Sequence, residues 1–267
     1  MKRSLAIVIM AAAFVGMLGA AAVADTLIGT DGGDDLRGTP GPDQFYGEGG
    51  DDRLTGDGSH DYLEGGSGDD DVEGDEGVDL VIGGTGDDGI DAGTEGDVVY
   101  AGAGQDLVLG GTGADTLFGQ ADSDRLFGGA GPDRLYASLG SDYVDAGSGD
   151  DRVISDQGDV TVSAGAGDDA VAAAGGAVDV QGEGGNDRIR TGDFADRVAG
   201  GAGRDSIAAG GGDDVVRARD GQRDGVDCGA GAGDAVDADR LDTLVGCESV
   251  VAPTGRRASL APAAPIR

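Results

Sequence analysis

A nine-residue register runs from Gly29 to Arg217 without an insertion or deletion, and it restricts the chain to architectures built by repetition. Twenty-one units align into columns. The eighth position is Leu, Val, Ile or Phe in every unit, from Leu36, Phe45 and Leu54 to Ile207 and Val216. The sixth is Asp in nineteen units and the fourth is Gly in seventeen. GGTGADTLF (110–118) and GGAGPDRLY (128–136) are the cleanest examples. In such an array each unit contacts its neighbours in the stack, and no central core is needed.

Composition makes the repeat necessary. The 267 residues include five Phe, five Tyr, no Trp and 57 Gly. A chain so poor in large apolar groups would be disordered without a repeating scaffold. We expect one elongated domain over 25–217. Within each unit, positions one to six are rich in Gly and Asp and should turn. Positions seven to nine should form a short strand, with position eight facing in and seven and nine facing out. Position four needs Gly because a positive φ is cheap only there. Strands this short cannot pair as hairpins over such a length, so two units should make one coil. Each strand then pairs in parallel with the strand eighteen residues on, and the position-eight side chains pack between two sheets.

The sixth column carries the chemistry. It comprises Asp34, Asp43, Asp52, Asp61, Asp70, Asp79, Asp88, Asp97, Asp106, Asp115, Asp124, Asp133, Asp142, Asp151, Asp169, Asp187, Asp196, Asp205 and Asp214. Coiling stacks residues eighteen apart at about 5 Å. Carboxylates at that spacing repel, and the few Arg fall mostly at outward strand positions. A hard divalent cation fits the need. Ca²⁺ accepts six to eight oxygen ligands in loose geometry, whereas Mg²⁺ demands a strict octahedron and soft metals want His or Cys.

GGSGDDDVE (65–73), GGTGDDGID (83–91) and GGAGRDSIA (200–208) fill every fixed place of G-G-x-G-x-D-x-U-x, where U is a large apolar residue. The chain here resembles the RTX, or haemolysin-type, calcium-binding nonapeptide repeat proteins. The resemblance implies an all-β, right-handed parallel β-roll with Ca²⁺ between successive turns on each side. It also implies that the sixth-position Asp and turn carbonyls are the ligands. Two units depart, with Val160 and Val178 in place of Asp, on the same side. Counting adjacent Asp pairs gives a ceiling of sixteen Ca²⁺ sites. Ser59, Glu95, Asp122 and Phe194 replace the fourth-position Gly, and sites beside them should be weaker.

Outside the repeats, Lys2 and Arg3 precede an apolar run ending at Ala22-Val23-Ala24, which reads as a secretory signal peptide (1–24) cut after Ala24. Many RTX proteins instead leave the cell by a C-terminal signal and carry an enzyme or toxin domain upstream, for which this arrangement leaves no room. No later apolar run could span a bilayer. Export favours a disulfide between Cys228 and Cys247. Residues 218–251 should cap the last coil and 252–267 should form a flexible tail. The expected localisation is secreted.

The formal net charge is −34, which excludes nucleic acid bound through its phosphates. His60, the single His, sits at turn position five and suits solvent exposure better than catalysis. Carboxylate pairs carry no catalytic signal in so acidic a chain, so we read it as non-enzymatic. The primary expectation is a structural or surface-associated calcium-binding element. Alternatives are an adhesion or glycan-binding module and, behind it, a polysaccharide-modifying enzyme. An outward apolar stripe is the candidate contact face: Ile82, Tyr100, Phe118, Tyr136 and Ile154 at position nine, with Leu80 and Val98 at position seven. A cell-surface polymer, a partner protein or a second copy could dock there. Regular Thr columns, as an ice-binding face would need, are missing.

Overall fold

Strands of three to eight residues alternate with turns along the chain: the shortest cover positions seven to nine around the apolar eighth residue, and six-residue strands such as Leu107–Thr112 run on through positions one to three of the next unit, where turn residues were expected. The computed structural model describes residues 24–251, with the backbone of 7–10 and 257–259. No helix occurs among the described residues. They fall into two compact units, Met1–Gly140 and Ser141–Arg267, each a parallel β-solenoid.

In the first unit one sheet contains Asp25–Thr30, Gln44–Glu48, Tyr62–Ser67, Leu80–Thr85, Val98–Ala103, Thr116–Ala121 and Arg134–Tyr136. The other contains Asp35–Arg37, Arg53–Thr55, Asp71–Glu73, Gly89–Asp91, Leu107–Thr112 and Arg125–Ala130. Pairing is parallel and in phase, so Leu63 meets Val81, Val81 meets Val99 and Val99 meets Leu117. Two nonapeptides therefore make one coil.

The second unit repeats the plan. Arg152–Ser155, Ala170–Ala173, Arg188–Arg190 and Ser206–Ala208 pair in one sheet, and Ser141–Ser148, Asp159–Ser163, Val178–Gln181, Arg197–Ala199 and Val215–Arg217 in the other. Residues 218–251 continue the coiling. Gly225–Asp227 and Ala235–Asp237 extend the two sheets in parallel, and Thr243–Val245 and Ser249–Val251 follow them. The Cys228–Cys247 disulfide, with Cα atoms 5.2 Å apart, ties these last coils together.

Position-eight side chains are at most 2% exposed throughout. Inward alternation is wider than a three-residue strand suggests. Positions six, eight and one of the next unit all face in, as in Leu107–Thr112, where exposed or half-buried residues alternate with buried ones. The inner layer therefore holds three columns: an Asp, a large apolar residue, and a Gly or Ala such as Ala92 or Ala101.

Residues 1–24, read above as a signal peptide, lie outside the described residues apart from Ala24 and the backbone of Ile7–Met10, which pairs antiparallel with Asp25–Thr30. Of the tail, only the Arg257–Ser259 backbone is described, antiparallel to Ser249–Val251.

Candidate metal centres

The sixth-position carboxylates are buried, from 8% exposed at Asp34 to 0% at Asp115 and Asp214. Each spans two coils. One oxygen, Oδ1, accepts the backbone N–H of the residue eighteen positions earlier. Asp34 N–H donates to Asp52 Oδ1 at 2.7 Å, Asp52 N–H to Asp70 at 2.8 Å and Asp70 N–H to Asp88 at 2.9 Å. The other side shows the same ladder, as in Asp79 N–H to Asp97 and Asp97 N–H to Asp115, both 2.8 Å. In the second unit Asp151 N–H bonds Asp169, and Asp187 N–H bonds Asp205. These bonds are not legible in the sequence, because their donors are backbone N–H groups placed by the coil register and not by residue type.

The second oxygen is the informative one. In Asp52, Asp61, Asp70, Asp79, Asp88, Asp97, Asp106 and Asp115 of the first unit, Oδ2 is buried with no hydrogen-bond partner. The same holds for Asp169, Asp187, Asp205 and Asp214 in the second. A Cβ added at Gly47, Gly65 or Gly83 would collide with that oxygen and with the position-one carbonyl oxygen of the next coil. Anionic and carbonyl oxygens thus crowd the same space with no donor between them. Among the described residues no three Asp, Glu, His or Cys side chains converge, so any cation would be held largely by backbone carbonyls beside the carboxylates. That donor set fits Ca²⁺.

Burial pushes these carboxyl groups up. Asp61, Asp88, Asp97 and Asp187 stand at about 7, and Asp52, Asp79, Asp115, Asp133, Asp169 and Asp214 at about 6. Desolvation is the main cause in each, and the backbone N–H bond only partly opposes it.

The turns explain the shape of the cradle. Gly66 and Gly68, like Gly84 and Gly86, have positive φ at both positions two and four. Only position four was expected. Six non-Gly residues hold the left-handed conformation at position two, among them Glu48, Asp57 and Glu183. At position four Ser59, Glu95 and Asp122 also adopt it, at φ 91°, 78° and 76°. The backbone path thus survives these replacements, at a strain of about 1–2 kcal/mol each.

Asp124, Asp133, Asp142, Asp151 and Asp196 occupy the same buried columns. Asp34 and Asp43 differ. Thr30 and Thr39, at position two, close their Oδ2 atoms with both backbone N–H and hydroxyl. At the far end the columns outlast the register. Asp205 N–H reaches Asp224 Oδ1 and Asp214 N–H reaches Asp234 Oδ1, both 2.9 Å, and each Oδ2 is again buried without a partner. Asp224-Gly225-Val226 and Asp234-Ala235-Val236 carry the sequence signal for these two, hidden by the extra residues between them. Val160 and Val178, each 3% exposed, pair with one another where carboxylates would stand, and Val178 N–H donates to Asp196 Oδ1 at 2.9 Å.

His60 is exposed, and its Nδ1 accepts the Val78 N–H at 2.9 Å. Among the described residues no helix is long and apolar enough to cross a membrane.

The model for the RTX calcium-binding nonapeptide repeat matches residues 28–63, 55–90, 64–99, 82–117, 91–126, 118–153, 146–178, 163–198 and 181–216. These matches cover 28–216 without a gap. No curated protein matches the chain. With its nonapeptide register, its parallel coils and its oxygen-lined turns, the chain belongs to the RTX calcium-binding nonapeptide repeat family.

Proposed function

We propose that the protein is exported, folds as it takes up Ca²⁺, and then serves as a non-catalytic structural or surface-associated element. The observation that carries this reading is the repeated buried Oδ2 with no partner, set against a carbonyl oxygen. An unpaired buried carboxylate oxygen is costly, and a cation is the group the turn chemistry would accept there. The N-terminal apolar segment is the basis for export, with cleavage after Ala24, and residues 218–251 act as the cap that closes the last coil.

Calcium bound per chain, measured by equilibrium dialysis on exported protein starting at Asp25, tests this. We expect many ions, up to sixteen from the register. The Val160/Val178 side should hold fewer, so the double substitution Val160→Asp/Val178→Asp should raise the count. Absence of bound calcium at millimolar concentration would remove the reading. An exported chain that still begins at Met1 would remove the signal-peptide part.

A second reading, an adhesion face, rests on the outward stripe. Tyr100 and Phe118 stack with centroids 4.8 Å apart and planes 4° apart, and Phe118 and Tyr136 at 4.6 Å and 11°. Ile82 continues the row beside Tyr100, while Ile154 lies in the second unit next to Ala172. Stacking turns the ring faces toward one another and leaves mainly edges for a ligand. An open hollow of about 630 Å³ beside the row, lined by Tyr62, Leu80, Val98 and Tyr100, is where a partner would fit. If it is a contact face, Tyr100→Ser/Phe118→Ser should abolish adhesion or self-association while calcium-induced folding survives. Lost folding, or unchanged association, would leave the row a purely cross-strand support.

A further inference from the structure

The outer face of one sheet in the second unit carries an arrangement of charge opposite to that of the whole chain. Arg152 and Arg188 stand at position seven on either side of Ala170, two strands apart, or about 10 Å. Arg190 projects from the same strand as Arg188, between Ala172 and Ala208. All three are exposed and border a hollow of about 370 Å³ whose lining contains no acidic residue. In a chain with 52 Asp and Glu, that is a local exclusion of carboxylates.

Three exposed arginines elsewhere are neutralised by nearby carboxylates. Arg53 bonds Glu73 and lies 3.3 Å from Asp71, Arg37 faces Asp57, and Arg219 pairs with Asp237. None of the three guanidinium groups at the hollow has an ion pair or hydrogen bond among the described residues. Arg188 and Arg190 have only Ala or Ser as cross-strand neighbours and Arg152 faces Ala170, so the floor between them is low and the forks are free to converge. The patch also ends sharply: beyond Ala208 the next strand presents Asp227. A long anionic polymer would run onto that carboxylate, whereas a compact anion would not.

We propose that Arg152, Arg188 and Arg190 form a binding site for a compact tetrahedral dianion, a phosphate or sulfate group, free or at the end of an ester. Planar guanidinium forks match two oxygens of such a group at once, and three of them supply more positive charge than the ligand's two negative charges. High charge density also favours this ligand over a single carboxylate, because contact-range attraction must overcome the repulsive field of a chain at −34, which salt screens over about 8–10 Å.

The test is calorimetric titration of the folded full-length protein, its fold first verified by circular dichroism, with sodium sulfate and separately with methyl phosphate. Sodium chloride at matched ionic strength is the control. We expect saturable one-site binding of at least one dianion and none of chloride. Arg188→Gln/Arg190→Gln should abolish it with the circular dichroism spectrum unchanged, and Arg152→Gln should weaken it about tenfold or more. Tighter binding of methyl phosphate would assign a phosphate source, and tighter binding of sulfate a sulfate source. Failure of both anions to saturate, or equal binding by wild type and the double variant, would overturn the site. Should the double variant not fold, Arg152→Gln alone decides, and unchanged affinity there overturns it equally.

Discussion

At neutral pH in excess chelator, the chain from Asp25 onward is expected to lose its β-type circular dichroism, and to regain it as Ca²⁺ is added back. Twelve sixth-position carboxylates and their continuations Asp224 and Asp234 each hold a buried oxygen with no donor. Leaving one such group unsatisfied costs about 1–3 kcal/mol, more when it is charged, and a whole domain is stable by only about 5–15 kcal/mol. A handful would suffice to unfold the metal-free protein. Charge acts in the same direction, since a formal −34 drives self-repulsion in the compact state. Because the oxygens of one site come from successive coils, no site exists in the unfolded chain, and the free energy of binding becomes free energy of folding. Extracellular calcium modules bind at about 10⁻⁴–10⁻³ M, and the midpoint should fall there. The transition should be steep, as each filled turn orders the coil that completes the next. A β spectrum that persists unchanged in excess chelator would defeat this account.

Much of this was legible in the residues because periodicity is a strong signal. Leu36, Phe45 and their successors at position eight fixed both the strand and its inward face, and the eighteen-residue pairing followed from strand length alone. What escaped the sequence depends on the third dimension. Position two needs the left-handed conformation as much as position four, yet Glu48, Asp57 and Asp75 stand there, so residue type conceals the requirement. The N–H donated to each Oδ1 comes from the backbone, which every residue carries. Asp224 and Asp234 were hidden by pairings of nineteen and twenty residues where eighteen had held. Thr30 and Thr39 show the reverse case. A register would count Asp34 and Asp43 with the rest, but local hydroxyls already satisfy the oxygens that remain open elsewhere. The arginine hollow was invisible for a similar reason: Arg152 and Arg188 lie thirty-six residues apart and become neighbours across one strand only through coiling.

Without metal, acid should restore part of what calcium provides. Burial holds Asp61, Asp88, Asp97 and Asp187 at about 7 and Asp52, Asp79, Asp115 and Asp169 at about 6, against an ordinary value of 3.8. Between these limits the folded chain binds more protons than the unfolded one, so the stability of the metal-free fold falls as pH rises. The contribution is complete below 3.8 and is lost as pH climbs through 6 and 7. A neutral carboxyl can donate its own proton to the carbonyl oxygen beside it, which removes both the charge and the missing donor. Resin-stripped protein, unfolded at about pH 7.5, should therefore gain β structure on acidification to about pH 5, above the region near the sequence pI of 4.1 where loss of net charge promotes association. Calcium should show the opposite linkage. Protons compete for the same oxygens, so the half-saturating concentration should rise as pH falls from 7.5 to 5.5. Asp88→Asn/Asp97→Asn separates the two effects: amides imitate the protonated state, so the variant should lose ions yet hold more β structure than wild type in metal-free buffer at pH 7.5. Metal-free β signal that is flat between pH 5 and 8, or that grows with pH in protein shown by sedimentation to be monomeric, would contradict the claim that ionised buried carboxylates are what keep the apo chain unfolded.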